Sequence, residues 1–137
     1  MHTVGHWTYH TEFNPDDYLG FIYKITHEES GKFYVGRKQF RSTIKKPPLK
    51  STGLKRKRKI VSDSGWATYT SSSNELNEMI ALGGNDSFKF EILHLCDSKS
   101  ALSYYEVYYI ITTNAMTDEK GMNKNASKIP CRPKLSK

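Results

Sequence analysis

The chain has 137 residues, the length of one domain that can fold without disulfides or a structural metal. Its aromatic content of 12% argues against a disordered chain. Lysine and arginine total 21 against 14 acidic residues, and the net charge of +7 indicates a polyanionic partner, either nucleic acid or an anionic surface. No apolar run is long enough for a membrane-spanning helix, so we expect no membrane segment.

The N-terminal residues form a polar segment that ends in a turn sequence. Residues 1–17 end in NPDD, and clusters of Asn, Pro and Asp mark turns. We therefore predict a short N-terminal arm that leads into the folded domain. This segment lacks the charged and apolar regions of a secretory signal, and Cys96 and Cys131 form no disulfide framework. We therefore expect a cytoplasmic protein.

A β-hairpin is predicted next. Residues 18–26 and 33–36 are rich in aromatic and β-branched side chains, and a polar, glycine-containing turn separates them. Side chains alternate between the two faces of a strand, so Phe21, Tyr23 and Ile25 are expected on one face.

A densely basic stretch interrupts this pattern at residues 37–65. Its Pro47-Pro48 pair bars a helix there, and the charged stretch cannot bury itself. We predict a long insertion that leaves the sheet, because loops of this length in compact domains are usually functional or disordered. The run at residues 55–59 is expected to contact phosphates, although a nuclear localisation signal or a solvated charge run gives the same pattern.

The remaining sequence predicts helix, strand and helix. A serine run can cap a first helix with an apolar stripe around Leu76, and Gly83-Gly84 ends that helix. Residues 88–96 alternate as a third strand, and Ser98 can cap a second helix. The order predicts a small α/β (α+β) fold, with a mostly antiparallel three-stranded sheet flanked by helices.

Two short sequences in the predicted hairpin carry a family resemblance. Ile22-Tyr23 in the first strand and Tyr34-Val35-Gly36 in the second resemble the two half-motifs of the GIY-YIG nuclease family. In that family the two tyrosines face one active site across adjacent strands. The order of the elements that follow is also similar, and the chain looks most like small phage-encoded, homing-endonuclease-like members.

The resemblance extends to the C-terminal half of the chain. Glu106 corresponds to the acidic residue on the family's last helix, and Asn123 to an asparagine found in several branches. The resemblance covers roughly residues 18–125, the expected catalytic domain, with a basic tail at residues 126–137. It departs from the family at two points: Phe21 separates Gly20 from the Ile-Tyr pair, and no arginine after the second half-motif lies on a clear predicted helix.

The resemblance implies a DNA endonuclease that hydrolyses phosphodiester bonds. In this reading Glu106 holds Mg²⁺, for which Mn²⁺ should substitute, since one carboxylate on a rigid helix suits a hard ion that keeps several waters. Tyr23 and Tyr34 would activate or position the attacking water. Double-stranded DNA would be the substrate, and a homodimer or a second protein would supply target specificity. A phage-encoded enzyme of this kind would act in the host cell cytoplasm.

Cationic side chains near the second half-motif complete the predicted site. The family's catalytic arginine follows that half-motif on a helix, and the sequence offers Arg37, Arg41, Arg56 and Arg58. Lys38 or one of these arginines could lower the pKa of a tyrosine and bind the scissile phosphate. Contacts to the rest of the nucleic acid are expected from Lys55, Arg56, Lys57, Lys59, Tyr69, Ser72 and Asn123.

Structural explanations compete with each of these assignments. Tyr23 and Tyr34 could be cross-strand packing partners, Glu106 a solvated helix residue, and Asn123 a turn residue. A non-catalytic nucleic-acid-binding module on the same scaffold is therefore the main alternative, and an RNA-binding protein whose tyrosines stack on bases is a second one.

Overall fold

A computed structural model describes residues 2–46 and 58–124, apart from the side chains of residues 44–46 and 58–60. The elements in chain order are β1 (His2–Val4), β2 (Trp7–Tyr9), β3 (Gly20–His27), β4 (Phe33–Gln39), β5 (Arg41–Lys46), β6 (Arg58–Asp63), α1 (Asn74–Gly83), β7 (Phe88–Cys96) and α2 (Lys99–Thr112). Neither helix in this part of the chain is long and apolar enough to cross a membrane.

The main sheet has five strands in the order β1-β2-β7-β3-β4. Strands β2 and β7 run parallel, and the other neighbours are antiparallel, so the sheet is mixed. The predicted α+β architecture with a hairpin, a third strand and two helices is confirmed. The predicted size of the sheet is wrong, because two strands come from residues that were expected to form an arm.

The N-terminal strands are held by a buried aromatic residue. Trp7 is fully buried, and its ring packs against Phe21 and Tyr23 of β3 at centroid distances of 5.2 Å. Its indole N–H donates a hydrogen bond to the Trp66 carbonyl at 2.6 Å. The strands on each side of the turn at Gly5 have three residues each, too short for the alternation that identifies a strand from sequence.

The basic insertion contains a second, two-stranded sheet. Residues 37–39 continue β4, and β5 pairs antiparallel with β6, with Arg41 opposite Asp63 and Lys46 opposite Arg58. The insertion thus leaves the main sheet as predicted, but it does so as a regular hairpin. Its β-branched residues favour strands, a signal that the dense positive charge obscured. Residues 47–57, with the Pro-Pro pair, lie outside the described part of the chain.

Two hydrophobic clusters cover the two faces of the main sheet. Leu76 and Ile80 of α1 belong to the cluster that contains Phe21, Tyr23 and Ile25, in agreement with the predicted alternation. Leu102 and Ile110 of α2 belong to the cluster that contains Ile22 and Val35. Each large apolar side chain buried in this way contributes about 1.5–3 kcal/mol. Each face of the main sheet therefore packs against one of the two helices.

Serine side chains begin both helices, as the sequence predicts. The Ser73 hydroxyl accepts a hydrogen bond from the Leu76 N–H at 3.3 Å, and the Ser98 hydroxyl accepts one from the Ala101 N–H at 3.1 Å. Such caps satisfy donors that a helix leaves unpaired at its start, and each contributes about 1 kcal/mol.

A β-bulge interrupts the pairing of β3 with β7 beside Tyr23. Ile22 lies opposite His94 and Tyr23 opposite Ile92, which leaves Leu93 without a partner in the ladder. Leu93 and His94 both lie toward α2, and the ring of His94 stacks on Tyr105 at 3.9 Å. The bulge accentuates the local twist of the sheet next to the residues of the first half-motif.

Candidate functional site

Tyr23 and Gly36 lie opposite each other in the centre of the β3–β4 pair. The Tyr23 ring crosses directly over the glycine. A Cβ atom at position 36 would overlap the Tyr23 hydroxyl, and it would lie 2.6 Å from Tyr23 Cζ and 3.0 Å from Tyr34 Cε1. The glycine of the second half-motif is therefore required by the tyrosine of the first.

Tyr23 is a buried, neutral tyrosine. Its exposed fraction is 1%, and burial, followed by the proximity of Tyr69 and Tyr34, raises its pKa far above the ordinary value. Its side chain also interacts with Tyr69 through a hydrogen bond. A group in this environment cannot give up its proton near neutral pH, so Tyr23 can position its neighbours but cannot act as a base.

Tyr34 reaches the surface of the same cluster. Its hydroxyl lies 3.3 Å from the Ser72 Oγ, and together they line a cleft of about 320 Å³ at the start of α1. Burial raises the pKa of Tyr34, the hydrogen bond with Ser72 opposes this rise, and Glu106 adds to it. Tyr34 is therefore a neutral hydroxyl that can both donate and accept hydrogen bonds at the entrance of the site.

Glu106 lies on α2, close to Arg37 of β4. The Arg37 Nε atom is 4.0 Å from Glu106 Oε1, and an Arg37 terminal N–H donates to the Ser103 Oγ at 2.7 Å. The Glu106 side chain is 20% exposed. Burial raises the pKa of Glu106, and the nearby Arg37 guanidinium partly offsets this rise. A half-buried carboxylate without full neutralisation is suited to bind a further cation.

Of the four candidate arginines, Arg37 is the one that the structure places beside Glu106 within the described residues. It lies on a strand and not on a helix. Arg58 begins β6, and nothing is described of its side chain. Arg56, with Lys55 and Lys57, lies outside the described residues, and the side chain of Lys59 is likewise not described.

Arg41 has a structural role instead. Its guanidinium donates to the Tyr18 carbonyl at 2.9 Å and to the Pro15 carbonyl at 3.3 Å, and it lies 3.8 Å from the Asp16 carboxylate. These bonds fix the segment between β2 and β3 against the start of β5.

Lys38 contacts the Tyr69 ring. Its Nζ atom lies 4.1 Å from the ring centroid, a cation–π contact. Burial raises the pKa of both Tyr23 and Tyr34, so the described surroundings do not supply the lowering that was expected from Lys38 or an arginine. Lys38 and Tyr69 instead form one wall of the site.

Asn123 clamps the backbone of β4. Its Oδ1 accepts from the Val35 N–H at 2.9 Å, and its Nδ2 donates to the Val35 carbonyl at 2.7 Å. The side chain is buried, with an exposed fraction of 3%. This geometry does not fit the predicted contact with nucleic acid, because the amide is already engaged. Asn123 therefore holds Val35, the middle residue of the second half-motif, in place on β4.

The segment before α1 has a strained backbone that the sequence did not reveal. Ser71 has φ of 114°, a region that non-glycine residues rarely adopt. Its hydroxyl accepts from the Ser73 N–H at 3.1 Å, and its carbonyl accepts from the Asn77 side chain at 3.1 Å. These bonds hold Ser72 beside Tyr34. The sequence predicted a helix cap in the serine run and a nucleic-acid contact from Ser72, but it gave no sign of this backbone conformation.

The donor set fits a magnesium ion bound by few protein ligands. In the described ranges, 2–46 and 58–124, no three His, Cys, Asp or Glu side chains cluster as a metal site, so Glu106 belongs to no cluster of three or more such groups. Mg²⁺ commonly binds through one or two carboxylates, waters and substrate phosphates. The site therefore fits an ion whose coordination is completed by the substrate.

Comparison with known proteins identifies the family of the chain. A family model described as "Putative endonuclease segE, GIY-YIG domain" matches residues 6–127, a range that contains both half-motifs and Glu106. No curated protein and no solved structure matches the chain. The match to the family model begins before the expected catalytic domain and includes β2. The chain therefore belongs to the GIY-YIG nuclease superfamily, as a segE-type GIY-YIG domain.

Proposed function

We propose that this protein is a metal-dependent endonuclease that hydrolyses phosphodiester bonds in double-stranded DNA. The observation that carries the proposal is the grouping of three unlike chemical groups at the edge strand β4. These are the neutral Tyr34 hydroxyl, the half-buried Glu106 carboxylate and the Arg37 guanidinium. Hydrolysis of a phosphodiester needs an oriented water, neutralisation of charge at phosphorus and stabilisation of the leaving oxygen.

Tyr34 orients the attacking water in this proposal. Its raised pKa keeps the hydroxyl protonated at neutral pH, so it acts by hydrogen bonding and not as a base. Tyr23 supports it from below, since its ring lies 6.3 Å from the Tyr34 ring and is fixed over Gly36. The proton of the water then passes to solvent or to a phosphate oxygen.

Arg37 binds the scissile phosphate. Its side chain is 47% exposed, and its contact with Glu106 is long, so the guanidinium can turn two N–H groups toward a phosphate. The Ser103 hydroxyl holds one nitrogen of the guanidinium near the required position. This preorganisation lowers the cost of binding the charge that develops at phosphorus.

Glu106 would hold the metal ion. Two residues support this assignment, Glu106 and Arg37. Burial raises the pKa of the Glu106 carboxyl, and the charge of Arg37 only partly offsets this rise. Mg²⁺, or Mn²⁺ in its place, would neutralise negative charge on the phosphate and the leaving oxygen when bound. The net charge of +7 favours DNA as the polyanion, and phosphate contacts from the run at residues 55–59 would add to the affinity.

Relaxation of supercoiled plasmid tests this proposal directly. We expect cleavage with Mg²⁺ or Mn²⁺ and none with EDTA. Tyr34→Phe should slow cleavage roughly a hundredfold or more, because it removes the hydroxyl that orients water. Tyr104→Phe is the matched control, since Tyr104 is 65% exposed on α2, and it should cleave at the wild-type rate. Binding of plasmid without cleavage in any metal would contradict the proposal and favour the non-catalytic binding module.

A further inference from the structure

A cleft of about 570 Å³ opens beside Arg37, between the β4–β5 junction and the first turns of α2. It is lined by Arg37, Lys38, Gln39, Arg41, Ser42, Thr43, Ser64, Tyr69, Lys99, Leu102 and Ser103. Arg37 and Ser103 also belong to the candidate active site, so the cleft continues that site along the protein surface.

The chemistry of the lining suits a phosphate backbone. Four of the lining side chains are cationic, and none of the described lining residues is acidic. The others are mainly hydroxyl and amide groups, which bond phosphate oxygens and sugars without reading base identity. The volume of about 570 Å³ is that of a cleft for a small ligand, which suits a short stretch of sugar-phosphate backbone.

Lys99 differs from the other cations of the cleft. Arg37 is bonded to Ser103, Lys38 lies on the Tyr69 ring, and Arg41 is bonded to two carbonyls. The Lys99 side chain is exposed, and among the described residues it makes no hydrogen bond or ion pair.

The position of Lys99 is also unfavourable for the free protein. It is the first residue of α2, where the helix dipole repels a cation, and the first turn has no acidic residue to compensate. A lysine at this position therefore contributes little to folding, whereas it adds positive charge to the cleft.

We propose that this cleft binds the DNA backbone next to the scissile phosphate, and that Lys99 contacts a phosphate that is not cut. The proposal rests on the proposed function, since it takes Arg37 as the group that binds the scissile phosphate. In this proposal, one DNA strand leaves the active site between β5 and α2.

Binding of a short duplex in EDTA, measured by fluorescence anisotropy over a salt series, tests the role of Lys99 without cleavage. Lys99→Ala should weaken binding several-fold and reduce the slope of log affinity against log salt by about 0.9, the loss of one phosphate contact. Lys99→Arg should restore both values. Lys32→Ala is the matched control, because Lys32 is an exposed lysine in the turn at the other end of β4, and it should leave both unchanged.

Equal effects of Lys99→Ala and Lys32→Ala, or no effect of either, would overturn the proposal. The wild-type protein is also assayed for plasmid cleavage with Mg²⁺, which separates the two proposals. If wild type cleaves plasmid but Lys99→Ala leaves the slope of log affinity against log salt unchanged, the cleft does not bind the DNA backbone and the proposed function stands. If Lys99→Ala reduces that slope but wild type cleaves no plasmid, the cleft binds the DNA backbone and the proposed nuclease activity is wrong.

Discussion

Tyr23 and Gly36 form the structural centre of the two half-motifs. The Tyr23 ring occupies the space that a side chain at position 36 would need, and it also contacts the elements that carry Tyr34 and Tyr69. We therefore expect a substitution at the glycine to disturb all three tyrosines, because the Tyr23 ring is almost completely buried in a closely packed core.

Gly36→Ala should destabilise the protein by about 1–3 kcal/mol, the usual cost of overpacking a filled core. It should also reduce cleavage more than the loss of stability explains, since Tyr34 would shift. Gly83→Ala is the control, because its nearest neighbour is the Ser87 hydroxyl at 3.6 Å and alanine favours the helix. Urea unfolding measures both, and equal stability of the two variants would contradict this account of the glycine.

Asn123 makes a separate prediction about the second half-motif. Asn123→Ala leaves the buried N–H and carbonyl of Val35 without partners, so unfolding free energy should fall by about 2–4 kcal/mol. Asn85→Ala, at an exposed position, should change it by less than about 0.5 kcal/mol. If Asn123→Ala instead kept its stability and lost DNA affinity, the assignment of Asn123 as a backbone clamp would be wrong.

Glu106 makes the stability of the folded protein depend on pH. Because burial raises its pKa in the folded protein, ionised Glu106 costs stability at neutral pH, and this cost disappears as the pH falls below the ordinary glutamate value. Without metal, Glu106→Gln should therefore melt at a higher temperature than wild type at neutral pH and at the same temperature in acid. Glu78→Gln, at an exposed helix position, should show no such difference at either pH. A lower melting temperature for Glu106→Gln at neutral pH would contradict the assigned effect of burial.

At the residue scale, the family resemblance selected Tyr23, Tyr34 and Glu106 as candidate site residues, but it did not predict their environments. Alternation placed Tyr23 on the core face, yet its near-complete burial depends on Trp7 and Tyr69, which lie far away in sequence. The pairing of Arg37 with Glu106 likewise joins β4 to α2. Such contacts are set by tertiary packing, so no local pattern reveals them.

At the scale of elements, the β5–β6 hairpin places like charges opposite each other. Its register pairs Lys45 with Lys59 and Lys46 with Arg58. Residues of like charge in directly opposed positions generally disfavour a strand pair, so we expect Lys45 and Lys46 to serve the binding of a polyanion and not the stability of the hairpin.

Lys45→Thr tests this property of the hairpin. The melting temperature should stay the same or rise slightly, while affinity for duplex DNA falls several-fold and its salt dependence weakens. Thermal melting and anisotropy measure the two quantities, with Lys32→Ala as the charge-matched control. A loss of stability with unchanged affinity would show that the cation serves the fold.

The elements that could be predicted are the ones with a complete local signal. The two helices have serine caps and apolar stripes, and β3, β4 and β7 have enough residues to show alternation. Strands β1 and β2 are too short for this, and they are held mainly by the contacts of Trp7. The hairpin β5–β6 was hidden because the charge of its residues suggested a loop.

At the scale of the whole molecule, the sheet brings groups from both faces to one edge. Tyr34 lies beside the segment that leads into α1, Glu106 comes from α2, and Arg37 lies on the edge strand between them. The basic cleft begins at the same edge and contains no acidic residue among its described lining. Cationic side chains therefore line the same edge of the sheet that carries the candidate site.

The most direct test is plasmid cleavage with Mg²⁺ by wild type, Glu106→Gln and the control Glu78→Gln. We predict that Glu106→Gln loses at least about a hundredfold in rate while it binds DNA in EDTA as well as wild type, and that Glu78→Gln cleaves normally. Undiminished cleavage by Glu106→Gln, with the metal dependence of the wild type, would contradict the assignment of Glu106 to the active site.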